Sequence, residues 1–258
     1  MVLDWLKKMI TAKRFNANSL REIYSEFRVG LQTGMVTKVT ADHADPAIAA
    51  LGKVFDNLVK HPLVADFMRH EPELYVVHPY FRTKNIERVI GPILLGRKVL
   101  IDRKTFEYLS LEQLESVIAH ELGHHIRLDT HPRNSYRRIV RFSTPEMEKD
   151  ADRIAGLLTG NPLRQDEALK GLAEAHPEVR DGNAHLEKLA NATSYRERFR
   201  LRRQNGAQAT YLKPDDRTEF LQELGRQMKD LNQRTHLEQE LRRRLEAEHG
   251  RVFDHHRG

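Results

Sequence analysis

The residues best suited to chemistry lie in the stretch Ala119-His-Glu-Leu-Gly-His-His125, which contains the pattern His-Glu-x-x-His. An α-helix turns by about 100° per residue, so two histidines four positions apart lie about 40° from each other around its axis. The imidazoles of His120 and His124 can therefore bind one metal ion. Glu121 points about 100° away from His120 and can act on a water beside that ion as a general base without being a ligand itself.

The chain has no cysteine, which excludes disulfides, a thiol nucleophile and cysteine-ligated metal sites. A catalytic zinc usually has three protein ligands and one position open to water, so the third ligand should be a histidine or a carboxylate. The predicted helix after Pro145 offers four acids: Glu146, Glu148, Asp150 and Asp152. All four could be solvated residues favoured by the helix dipole, but Glu148 lies nearest to the apolar stripe of the helix and is the best candidate.

The sequence also indicates where the helix with the His-Glu-x-x-His pattern begins, and where the helix with the four acids begins and ends. Ser110 can cap the first helix, and Gln113, three residues on, can complete a capping box. The second helix should begin beside Pro145 and end near Gly160-Asn-Pro162, where a glycine that suits a helix end is followed by a proline.

The chain upstream of the first helix predicts a small sheet and several helices. Two or three strands are expected at Leu74–Val77, Arg88–Ile90 and Val99–Ile101, which are short runs of β-branched or aromatic residues between prolines, glycines and asparagines. Helical patterns occupy Leu20–Leu31 and Pro46–Met68, the second broken near Pro62. The sequence therefore predicts an α+β fold that is mainly helical, with the sheet preceding the His-Glu-x-x-His helix.

The two motifs together resemble a known family. Leu111–His124, followed by Glu148-Lys-Asp-Ala-Asp152, is similar to the gluzincin peptidases of the HtpX, Oma-type and CAAX prenyl protease (Ste-type) family. The resemblance covers about residues 74–158 and implies a zincin-like fold and a zinc-dependent metalloendopeptidase. It implies that His120, His124 and Glu148 are the Zn²⁺ ligands and that Glu121 is the general base. It also implies that Asp152 accepts a hydrogen bond from a ligand histidine.

Two features differ from those relatives. Many of them carry transmembrane helices, whereas the longest strongly apolar run here, Val89–Leu95, is far shorter than the roughly 20 residues that cross a bilayer. The family also has a downstream Thr-His-Pro-type motif with a trailing arginine, and the nearest stretch, Thr193–Arg200, has no histidine. Tyr195 or Arg200 could supply a transition-state donor there, and each could equally be an ordinary packing or surface residue.

The resemblance also suggests how the chain is divided and where a polypeptide substrate binds. We expect N-terminal helices in 1–70, the zincin-like metallopeptidase core in 71–160, and a helical C-terminal part in 161–258 with a long charged helix from about 215 to 248. An edge strand near the site should bind the substrate backbone as an added strand, and either Val99–Asp102 or Glu87–Ile90 could serve.

Charge and composition bear on partners and location. The net charge of +6 comes from 43 basic and 37 acidic residues, which describes a mixed solvated surface, and no specific nucleic-acid partner is expected. Residues 1–14 could form an amphipathic helix that touches an anionic membrane weakly, or a terminal helix docked on the domain. The same residues do not resemble a secretory signal, so a cytoplasmic protein is expected. Neither the motifs nor the composition specify a substrate sequence or an oligomeric state.

Two other functions compete with this one. Repressor-cleaving regulatory peptidases of the ImmA/IrrE kind also pair His-Glu-x-x-His with a later glutamate helix, but Asp152 and the run Leu111–Ile118 favour the first family. The other competitor is a non-catalytic, zinc-stabilised interaction module. The intact Glu121 argues against it, because a purely structural metal site has no use for a base at that position.

Overall fold

Helices and one four-stranded sheet make up the described part of the chain, which confirms the predicted α+β class. The computed structural model describes residue 25 and residues 27–68, 71–78, 92–95, 98–129, 145–176 and 214–253. None of the described helices is both long enough and apolar enough to cross a membrane.

The strands are β1 (Val36–Lys38), β2 (Glu73–Val77), β3 (Pro92–Leu95) and β4 (Lys98–Asp102), and they are arranged in the order β1-β2-β4-β3. The central pair, β2 and β4, is parallel, and each outer strand runs antiparallel to its neighbour. The last four residues of both central strands are buried, as expected for strands covered on both faces.

Two of the predicted strands are confirmed by β2 and β4, and the third prediction, at 88–90, lies outside the described residues. The expectation that Val99–Asp102 is an edge strand is wrong, because β4 is hydrogen-bonded to β2 on one side and to β3 on the other. The alternative edge, Glu87–Ile90, also lies outside the described residues.

The break predicted near Pro62 separates two helices, α1 (Pro46–Val59) and α2 (Pro62–Phe67). Asp45 caps α1 by accepting the N–H groups of residues 47 and 48, and His61 caps α2 by accepting the N–H of residue 63 through Nδ1. A proline follows each cap at the first helical position, where its missing N–H costs nothing.

Helix α3 (Arg103–Tyr108) leads into α4 (Leu111–Asp129), the helix that carries His-Glu-x-x-His. The predicted capping box is present at the start of α4. The N–H of Ser110 donates to Gln113 Oε1 at 2.9 Å, and the N–H of Gln113 donates to Ser110 Oγ at 3.3 Å. These bonds fix where α4 begins.

Helix α5 (Pro145–Thr159) carries the second motif and is followed by α6 (Leu163–Ala175). The predicted end of α5 is confirmed: Gly160 has φ of +72°, a left-handed conformation that suits glycine, and its N–H donates to the carbonyl of Gly156 at 2.8 Å.

The long C-terminal helix predicted from 215 to 248 is in fact two helices, α7 (Pro214–Lys229) and α8 (Leu231–Phe253). The Asp230 carboxylate accepts the N–H groups of Asn232 at 2.8 Å and Gln233 at 3.1 Å. It therefore caps a new helix where the charge pattern alone predicts continuation.

One hydrophobic core joins these elements. It includes residues from α1, α4, α5, α7 and α8: Leu51, Ile118, Ile154, Leu224 and Leu245. Helix α4 lies against α5, α6 and strand β3, so its motif is held between the sheet and the later helices.

Candidate metal centre

Helix α4 presents two imidazoles one turn apart on the same face. The Nε2 atoms of His120 and His124 are 3.1 Å from each other. The side chain of His120 is 8% exposed and that of His124 is 15% exposed, so the pair is mostly shielded but reaches solvent on one side.

Helix α5 brings the third side chain, Glu148, to the same place. Its Oε2 lies 3.4 Å from His120 Nε2 and its Oε1 lies 3.5 Å from His124 Nε2. Burial would raise the pKa of Glu148, but the neighbouring charge of His124 and hydrogen bonds from both imidazoles outweigh it and hold that pKa well below its usual value. The structure thus places an ionised carboxylate against two imidazoles.

The spacing of these atoms can be compared with what a metal ion requires. Zinc binds imidazole nitrogen and carboxylate oxygen at about 2.0–2.2 Å, and two ligands of a tetrahedron at that distance are roughly 3.4 Å apart. The Nε2 atoms of the two histidines are 3.1 Å apart, and the two carboxylate oxygens of Glu148 each face one of them, Oε2 at 3.4 Å from His120 and Oε1 at 3.5 Å from His124. One ligand atom from each of His120, His124 and Glu148 lies within 4.8 Å of the other two, so these side chains could hold a metal ion together.

Asp152 determines which ring nitrogen of His120 can bind a metal ion. Its Oδ1 lies 2.8 Å from His120 Nδ1, and its side chain is fully buried. Because Nδ1 donates its proton to this carboxylate, Nε2 is the His120 nitrogen that faces Glu148 and His124 and would bind a metal ion after losing its own proton. Burial alone would lower the pKa of His120, but the charge of Asp152 and its hydrogen bond raise that pKa to about 9 in the metal-free protein.

Arg217, from helix α7, supports Asp152 in turn. Its Nε donates to Asp152 Oδ2 at 2.9 Å and its Nη2 donates to Asp152 Oδ1 at 2.6 Å. Burial would raise the pKa of Asp152, but the charges of Arg217 and His120 lower it below its usual value. Arg217 was not predicted from the sequence, because no local spacing relates it to a partner 65 residues earlier in the chain.

Glu121 is partly exposed and follows His120 on α4. Loss of hydration raises the pKa of this carboxyl, the two histidines oppose the rise, and the negative charge of Glu148 adds to it. Arg217 offsets one of the three carboxylate charges of Glu121, Glu148 and Asp152.

The other acids of α5 do not face the two histidines. Glu146 has a side chain that is 71% exposed and pairs with Lys149 at 3.3 Å. Asp150 is buried and binds three arginines from α4, α5 and α8: Arg127, Arg153 and Arg244. Of the four acids predicted as alternatives, the structure brings Glu148 to the histidines and Asp152 behind one of them.

The remaining histidine of the motif and the other candidates predicted from the sequence are not among these ligands in the described residues. His125 is buried in α4 and is not part of the group formed by His120, His124 and Glu148. Tyr195, Arg200 and residues 1–14 lie outside the described residues.

Part of the chain matches the model of a known protein family. Residues 89–145 match the model of peptidase family M48, and the matched segment contains His120, Glu121 and His124 but ends before Glu148. No curated protein and no solved structure matches the chain. The match supports an M48 metallopeptidase.

Proposed function

We propose that this chain is a zinc metallopeptidase in which His120, His124 and Glu148 hold the metal and Glu121 is the general base. The observation that carries the proposal is that His120, His124 and Glu148, from two packed helices, come together with one ligand atom each within 4.8 Å of the others, as a metal site with three protein ligands requires. The M48 match over the His-Glu-x-x-His helix gives independent support for hydrolysis of peptide bonds.

The ligand set favours zinc. Two imidazoles and one carboxylate, with no cysteine in the chain, form a set that catalytic zinc sites use. When bound, zinc would lower the pKa of a coordinated water to about 7 and polarise the carbonyl of the scissile peptide.

The protein residues then have separate tasks. Asp152, held by Arg217, keeps His120 in the tautomer that leaves Nε2 free to bind. Glu121 takes a proton from the attacking water and returns it to the departing amine. Because Glu121 and His124 reach solvent while Glu148 is buried, substrate approaches from the side of α4.

Strand β3 is the best candidate for holding an extended substrate. It is the last strand of the described sheet, and it lies against α4, the helix that carries His120 and His124. A polypeptide could pair with its outer edge through backbone hydrogen bonds, which would place a peptide bond alongside α4. Cleavage within a polypeptide, as in the peptidases that the motifs resemble, is the expected reaction.

Metal analysis of matched variants tests the ligand assignment. The native protein and Glu146→Ala should each contain about one zinc per chain, whereas Glu148→Ala should lose it, because three ligands on two packed helices form a preorganised site. Glu146 is a suitable control because it is the same residue type on the same helix with an exposed side chain. Full zinc occupancy in Glu148→Ala would overturn the assignment.

A further inference from the structure

The two helices that carry the proposed ligands make a very close contact beside the metal centre. On α4, Gly123 lies between His120 and His124. On α5, Ala151 lies between Glu148 and Asp152. A methyl group built on Gly123 would lie 2.8 Å from Ala151 Cα, 2.9 Å from its carbonyl oxygen and 3.2 Å from its Cβ. The backbones of α4 and α5 can approach this closely because residue 123 has no side chain.

The obstructing atoms cannot move aside on their own. The two nearest are backbone atoms of a buried helix, and carbon atoms in contact are normally about 3.5–4.0 Å apart. Relieving the contact from 2.8 Å would require α4 and α5 to separate locally by about 0.7 Å.

A separation of that size is large enough to disturb the distances between the proposed metal ligands. The contacts of Glu148 Oε2 with His120 at 3.4 Å and of Glu148 Oε1 with His124 at 3.5 Å would lengthen toward about 4 Å, which moves the carboxylate away from an ion held by the two histidines. The 2.8 Å bond from His120 to Asp152 would lengthen beyond hydrogen-bond distance.

We infer that Gly123 is a positioning residue, which sets the spacing of the two helices and through it the geometry of the metal ligands. The inference rests on the proposed function, since it concerns the same three ligands. Helix propensity does not explain why residue 123 is glycine, because alanine stabilises a helix interior more than glycine does.

Gly156, on α5, provides a matched control. A methyl group there would lie 3.1 Å from Met228 Sδ, 3.2 Å from Pro162 Cβ and 3.4 Å from Leu224 Cδ2. These are side-chain atoms, two of them at the ends of flexible chains. Gly156→Ala therefore makes the same chemical change in a metal-bearing helix without forcing that helix away from α4.

The experiment compares zinc affinity, by competition with a chelator, and the visible absorption of the Co²⁺-loaded protein, which reports ligand geometry. Gly123→Ala should bind zinc about 10–100 times more weakly than the native protein and give a weaker, shifted Co²⁺ spectrum. Gly156→Ala should bind within about threefold of the native protein. The double variant Gly123→Ala/Ala151→Gly should not recover affinity, because the two shortest contacts are to backbone atoms.

The outcomes separate this inference from the proposed function. A native protein that binds no zinc would overturn both. Native binding combined with a Gly123→Ala affinity within threefold, or with full recovery in the double variant, would overturn the positioning role alone. Circular dichroism of the metal-free proteins shows whether each variant folds. If Gly123→Ala does not fold, the Ala151→Gly variant tests the inference in its place. It should keep the zinc affinity of the native protein, and a tenfold loss would show that the Ala151 side chain sets the spacing of the helices instead.

Discussion

Replacing Asp152 with asparagine should weaken zinc binding far more than the same change at Asp150, although both are buried carboxylates on α5. Asp152 is 0% exposed and Asp150 is 4% exposed, and each binds arginine. Among the described residues, Asp152 bonds to a proposed ligand histidine and Asp150 does not. The pair of variants therefore separates loss of a buried charge from loss of ligand orientation.

The expected magnitudes follow from these contacts. Removing one partner of a buried ion pair costs about 3–5 kcal/mol of unfolding free energy, so both variants should be destabilised to a similar extent. Asparagine at 152 can turn its amide toward His120 Nδ1 as a donor, which would favour the tautomer protonated on Nε2 and block that nitrogen as a ligand. Loss of such support typically lowers metal affinity by about 10–100-fold, or roughly 1.4–2.7 kcal/mol.

Urea unfolding of the metal-free proteins and zinc competition with a chelator provide the two readouts. Asp150→Asn should be destabilised but bind zinc within about threefold of the native protein, while Asp152→Asn should show both losses. Equal losses of zinc affinity in the two variants would mean that Asp152 does not act by orienting His120, because affinity would then simply follow the stability of α5.

Two further predictions concern the start of α4 and the metal-free site. Ser110→Ala removes the acceptor of the Gln113 N–H and should lower the unfolding free energy by about 1 kcal/mol in urea denaturation, with zinc affinity unchanged; a loss of affinity would contradict it. His120 has a pKa raised from 6.5 to about 9 in the metal-free fold, so its contribution to stability is complete below about pH 6.5 and is lost as the pH rises through about 9. Unfolding of the metal-free protein between pH 6 and 10 should show this decline, and a decline of the same size in Asp152→Asn would contradict the assigned cause.

The parts of the fold that sequence reasoning predicted depend on local signals. The start of α4 is fixed by Ser110 and Gln113 and the end of α5 by Gly160, and in each case the determining contacts span at most four residues. The pairing of His120 with His124 has the same local origin. These features can be read from spacing because the interactions that produce them are between near neighbours.

The parts that were missed depend on contacts across the chain. Strand β1, only three residues long, exists because it pairs with β2, and the interior position of β4 depends on the pairing of β3. Arg217 reaches Asp152 across 65 residues. The break at Asp230 is local, but a single aspartate in a charged segment is a weak signal beside the helical pattern on either side.

The most direct test of the proposed function compares the native protein with Glu121→Gln, both loaded with zinc to the same level, on one unfolded polypeptide such as casein. Glutamine keeps the size of the side chain and leaves His120, His124 and Glu148 unchanged, but it cannot accept the proton released as water attacks the carbonyl. We predict metal-dependent cleavage by the native protein and a turnover at least roughly 100-fold lower for Glu121→Gln at equal zinc content. Cleavage by Glu121→Gln at the native rate would contradict the account.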